Sequence, residues 1–111
     1  LRQEALVYET LTSLQGSVLP QMVGFFEGDG WTILVTKDCG RALTDSNLLS
    51  LSLQQREMLW QHACSIHVSG VAHHDLETRN LVVSSSGSVR IIDLAYAELG
   101  HQCVKATCEE L

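Results

Sequence analysis

Asp75 and Asn80 stand close together in one polar stretch, His73-His74-Asp75-Leu76-Glu77-Thr78-Arg79-Asn80, and Asp93 follows further along the chain. Carboxylate and amide oxygens are the ligands a hard cation such as Mg²⁺ prefers. A carboxylate held off the metal can orient a hydroxyl and accept its proton. Two oxygen ligands beside one such base make a layout suited to phosphoryl transfer. Loop aspartates and asparagines also commonly bond neighbouring backbone, so the chemistry depends on what brings the three together. A second grouping, His101, Cys103 and Cys108, reads H-x-C-x-x-x-x-C and could start a zinc site. It shows no fourth ligand and no C-x-x-C pair, which favours incidental packing thiols.

The elements that must position these residues are legible as alternating runs. Leu81-Val82-Val83 and Val89-Arg90-Ile91-Ile92 are β-branched segments joined by Ser84-Ser85-Ser86-Gly87, which predicts a hairpin. The loop from His73 to Asn80 enters that hairpin and Asp93 leaves it on the same side, so the three side chains can converge. Upstream, Ser52 followed by Gln55 is a capping-box pattern opening a helix with Leu59, Ala63 and Ile66 on one stripe and Gly70 as its stop. Earlier still, Met22 to Phe26 and Trp31 to Thr36 flank Glu27-Gly28-Asp29-Gly30, a second hairpin with Phe25, Phe26 and Trp31 as core and turn-flanking aromatics. Leu1 to Leu14 reads as one helix through Val7, Leu11 and Leu14, ended by Gly16. Ala42 to Leu51 is a short helical or irregular connection. The expected architecture is α+β, with residues 1–111 forming one unit.

The stretch from Ile66 to Leu81 resembles the protein-kinase segment in which a helix ends in Leu-His and then gives way to H-R-D-L-x-x-x-x-N. Ile92-Asp93-Leu94-Ala95 falls where that family has D-F-G, with a hairpin of the right size between. Glu4 is similar to the glutamate of the family's C helix. Leu34-Val35-Thr36-Lys37-Asp38-Cys39-Gly40 looks like the strand that runs into the adenine-binding hinge, with Thr36 as gatekeeper. Downstream, Ala97 to Cys103 and Cys108-Glu109 resemble fungal kinase-like and lipopolysaccharide-kinase-like proteins.

The resemblance implies the central part of a protein-kinase-like fold: C helix, hairpin of the fourth and fifth strands, hinge, E helix, catalytic loop, and hairpin of the seventh and eighth strands. It implies that Asp75 accepts the proton of the substrate hydroxyl and that Asn80 and Asp93 hold Mg²⁺ or Mn²⁺. Thr36, Lys37, Asp38 and Cys39 would line the ATP site, and Glu4 would pair with a lysine on the third strand. The acceptor would be a protein or a small molecule. That lysine, a glycine-rich loop, an activation segment and the bracing large helices are not in the sequence, so crippled catalysis is expected. The family's catalytic-loop arginine is His74 here, and its D-F-G phenylalanine and glycine are Leu94 and Ala95. A reading from another class is a non-catalytic, pseudokinase-type interaction module or a partial gene product.

Composition limits the rest. With seven Lys and Arg against thirteen Asp and Glu, and a net charge of −6, the chain is not built for nucleic acid or an anionic membrane. No apolar run approaches the roughly 18 residues of a membrane span. Four cysteines without a signal-peptide pattern suggest reduced thiols and an intracellular, cytoplasmic setting.

Overall fold

A computed structural model describes residues 2–102. Helix α1 (Arg2–Thr10) buries Ala5, Val7 and Tyr8. It stops at Thr10, short of the expected Leu14, and a 3₁₀ turn over Thr12–Leu14 follows. Two threonines draw the chain off the helix: Thr10 Oγ1 donates to Leu6 O at 2.9 Å and Thr12 Oγ1 to Glu9 O at 2.5 Å. Leu11 still reaches the core, which is why the apolar spacing continues past the helix end.

Strands β1 (Met22–Gly28) and β2 (Trp31–Thr36) pair antiparallel, with an irregularity between Met22 and Gly24. Gly30 turns the hairpin with φ 76°, a conformation that favours glycine. Strand β3 (Arg41–Ala42) was not expected. It pairs with β5 (Leu81–Val83), which pairs with β6 (Val89–Ile91), giving the order β3-β5-β6. The connection that follows β3 contains helix α2 (Asp45–Ser50), capped by Thr44 Oγ1 on the Asn47 N–H.

Helix α3 (Leu53–Val68) opens on the full capping box: Gln55 N–H donates to Ser52 Oγ and Ser52 N–H to Gln55 Oε1. Gln55 Nε2 also donates to Gly87 O at 3.1 Å, tying the helix start to the β5–β6 turn. Strand β4 (Val71–Ala72) pairs with β7 (Glu98–Leu99) in a short two-stranded ribbon.

One core joins these pieces. Val7, Tyr8 and Leu11 meet Val18 and Leu19, Ala63 and Ile66 of α3, and Ile91, Leu94 and Ala97. Of the hairpin aromatics, Phe25 is half-buried and Trp31 flanks the turn as expected, but Phe26 is not core: it and Trp31 are 52% and 50% exposed. Each ring lies over a glycine of β1, Phe26 on Gly24 and Trp31 on Gly28, where any Cβ would collide. No helix among the described residues is long and apolar enough to cross a membrane.

Candidate functional site

A cleft of about 390 Å³ lies between α1, the β2–β3 junction and the β5–β6 hairpin. Glu4, Thr36, Lys37, Asp38, Cys39 and Asp93 all line it. Residues from the two ends of the described chain therefore share one concavity. Tyr8, Leu34, Val82 and Ile92 supply its apolar walls. Sequence reading did not single these four out, because an apolar residue in a strand or helix carries no mark of which cavity it faces.

Gly40 fixes how the Thr36–Cys39 segment enters the sheet. Its φ is 139°, and a Cβ there would fall 2.3 Å from Val83 O. Only glycine lets the backbone approach β5 so closely. Lys37 N–H is already used by Gln21 O at 2.9 Å, whereas Asp38 Oδ1 accepts from Gly40 N–H at 3.0 Å. Burial pushes the Cys39 thiol up in pKa, against the pull of the positive Arg90 guanidinium.

His73 organises the loop beneath the cleft. It is wholly buried. Its Nδ1 accepts from Asp75 N–H at 3.1 Å, so its Nε2 carries the proton and donates to Ile92 O at 2.8 Å. Ile92 N–H in turn donates to Asn80 O at 2.8 Å. The loop bearing Asp75 and Asn80 is thus bonded to both sides of the residue that precedes Asp93. Asn80 Nδ2 donates to Asp75 O and to Asp75 Oδ2, each at 2.9 Å.

Asp93 itself has φ 65°, and its Oδ1 accepts from Ala95 N–H at 3.1 Å. His74 has φ 67°. Non-glycine residues in this region are uncommon and cluster at functional segments. Leu94 is wholly buried, and its N–H donates to Glu4 Oε2 at 3.1 Å. Glu4 is accordingly anchored to the Asp93 segment. Its carboxyl is raised above the usual range, first by burial and also by the negative charge of Asp93, while the Leu94 N–H opposes the shift.

The Asp75 carboxylate is more crowded than the sequence suggested. Arg79 Nη2 lies 2.8 Å from its Oδ1 and 2.9 Å from its Oδ2. Arg79 also donates to Glu77 Oε2 at 3.1 Å, and the Asp75 charge raises the guanidinium pKa. The i to i+4 spacing of opposite charges was the signal in the sequence that could have revealed this pair. Neither Asp75 nor Asn80 is part of the cleft lining, so the loop sits beside the cleft with Asp93 at the join.

Among the described residues no group of three or more His, Cys, Asp and Glu side chains is arranged to hold a metal. His101 is in contact with His67, the rings meeting edge to face at 4.7 Å, and its N–H donates to Gly70 O. Cys103 and Cys108 lie outside the described residues, and with them the rest of the zinc expectation.

No protein-family model matches the chain. Over 79 residues, 71% of its length, the chain is 29% identical to a protein of Dictyostelium discoideum named "Putative cyclin-dependent serine/threonine-protein kinase". That stretch is 11% of the Dictyostelium protein, so the chain spans about a tenth of it. The similarity is to a kinase-named protein, and it agrees with the class of protein the motifs resemble.

Proposed function

We propose that the chain is the central part of a protein-kinase-like domain whose cleft takes ATP with Mg²⁺ or Mn²⁺ and whose chemistry is phosphoryl transfer to a hydroxyl. The observation that carries this reading is the cleft shared by Glu4, Asp93 and the Thr36–Cys39 segment, with the Asp75 loop hydrogen-bonded to the strand that leads into Asp93. The partial similarity to a kinase-named protein supports it.

The donor chemistry fits a hard cation at one end of the cleft. Asp93 supplies a carboxylate, and Asn80, with its amide nitrogen committed to Asp75, has its Oδ1 left for a metal. The cation, when bound, neutralises phosphate charge. Asp75 orients the acceptor hydroxyl and takes its proton. For that step Arg79 must leave one carboxylate oxygen, since it now contacts both. Thr36, Lys37, Asp38 and Cys39 line the same cleft and would border a base, with Leu34 and Val82 as apolar walls.

Glu4 is half-buried, and burial together with the Asp93 charge raises its carboxyl, so a cation placed against it would be stabilised. A lysine contributed by a neighbouring segment suits it. Holding the phosphates in line supplies most of the rate in this chemistry.

The test is thermal unfolding of the chain with and without ATP plus Mg²⁺ or Mn²⁺, beside Asp93→Asn. Ligand near 100 times Kd should add about 2.7 kcal/mol, read as a rise in Tm that Asp93→Asn removes. An unchanged Tm, or a rise that survives Asp93→Asn, rejects the reading. The exposed apolar face of the first hairpin, with Val23, Phe26, Ile33 and Val35, favours a second reading as a non-catalytic interaction module.

A further inference from the structure

A larger groove, about 770 Å³, runs between the start of α3, the β5–β6 turn and the Gly16–Ser17 segment, and shares no lining residue with the cleft. Its polar lining includes Ser17, Gln54, His62, Ser86, Ser88 and Arg90, beside the capping-box pair that opens α3. No Asp or Glu among the described residues lines it, although the chain carries thirteen of them and a net charge of −6. Arg90 is the one formal charge in the groove. Its Nη2 donates to Gly16 O at 2.7 Å, an uncharged acceptor. Its Nε is the one buried side-chain nitrogen or oxygen among the described residues without a hydrogen-bond partner.

A half-buried guanidinium normally finds a carboxylate or a phosphate, because its charge and its fork of donors otherwise remain unmatched. Here the positive field reaches His62, whose pKa is lowered chiefly by burial and further by Arg90. His62 Nε2 is held 3.1 Å from Val89 O, which fixes that nitrogen as the donor and keeps the ring against β6. The groove is otherwise lined by hydroxyls and carboxamides, groups that donate to oxyanions without adding negative charge.

We propose that this groove binds a small phosphomonoester by its phosphoryl group, with Arg90 supplying the charge and Ser17, Ser86, Ser88 and Gln54 supplying further donors. The groove is far larger than a phosphate ion, so the organic part of the ligand occupies the remainder, beside Met58.

The experiment is an ¹⁵N–¹H titration of the 111-residue chain with inorganic phosphate and, separately, with glycerol phosphate, at constant ionic strength. Saturable shifts at Ser17, Gly87 and Ser88 with a Kd of about 1 mM or tighter are expected. They should weaken at least tenfold in Arg90→Gln. Gln54→Glu should have the same effect without touching Arg90, because it places a carboxylate in the groove at an exposed first-turn position that tolerates acids. If Arg90→Gln fails to fold, Gln54→Glu decides. Tighter binding of glycerol phosphate identifies a phosphomonoester site, whereas equal or weaker binding leaves a site for free phosphate and overturns the organic part of the proposal. Shifts that do not saturate, that persist in both variants, or that fall on Thr36 and Gly40 overturn it altogether.

Discussion

His73 carries more structural responsibility than any acid in the loop. One nitrogen accepts from Asp75 N–H and the other donates to Ile92 O, so a single ring sets the spacing between the Asp75 loop and Asp93. Replacing it with Phe fills the volume but leaves a part-buried N–H and a part-buried carbonyl unmatched. His73→Phe should cost about 2–6 kcal/mol, the sum of two lost partners at roughly 1–3 kcal/mol for each group stranded. Urea unfolding should show this as a lower midpoint with unchanged slope. A midpoint shift under about 0.5 kcal/mol, the scale of an ordinary surface substitution, would contradict the role.

His62 gives a pH dependence with a defined sign. Burial lowers its folded pKa, so the fold prefers the neutral ring. The unfolded chain takes up a proton first as pH falls below about 6.5, and stability is therefore present above that value and lost as pH falls toward the folded pKa. His62→Gln keeps a donor near Val89 O but cannot titrate. Thermal unfolding at successive pH values should show a smaller fall in Tm on acidification for the variant than for the parent, and parallel curves would refute the assignment.

At the scale of elements, the junction from β2 through Gly40 to β3 is the tightest constraint. An alanine at position 40 would force both an unfavourable φ and a contact 2.3 Å from Val83 O. Gly40→Ala should destabilise by about 2–4 kcal/mol, through backbone strain plus overpacking, and should splay β3 from β5. Loss of protection of the amide of Leu43, bonded to Leu81 O, in hydrogen exchange would report the splaying. The same junction shows where sequence reading reached its limit. The hairpins and the capping box of α3 were legible because each has a periodic or positional chemical signal: β-branched runs around glycine, and Ser52 with Gln55. Strands β3, β4 and β7 were not, since two-residue strands are too short to show alternation and exist only through pairing with distant partners. Helix α1 was read too long because Leu11 and Leu14 keep the apolar spacing after threonine hydroxyls have taken its last carbonyls. The candidate site residues could be named from motif spacing. Their contacts, such as Arg79 on Asp75 and Glu4 on the Leu94 N–H, depend on side-chain directions that spacing does not contain.

For the whole molecule, the β1–β2 hairpin poses the sharpest physical problem. It is a two-stranded sheet with no third strand among the described residues, and α1 is the main element it packs against. Isolated two-stranded hairpins are marginal in water. An ion pair between Arg2 and Glu27 adds a second tie to α1, but it is exposed and of small worth. On one face the register sets Gly24 opposite Val35 and Phe26 opposite Ile33, with Trp31 following in the same row. Phe26, Trp31, Ile33 and Val35 are all exposed, and β2 has an unpaired edge. Such a surface drives association through apolar burial and strand addition. The double variant Phe26→Ser, Ile33→Thr should therefore lower the sedimentation-average mass of the chain at tens of micromolar while shifting Tm little, since neither side chain belongs to the core. If the parent is already monomeric, or the variant associates as strongly, the face is not a contact surface and the interaction-module reading loses its physical basis.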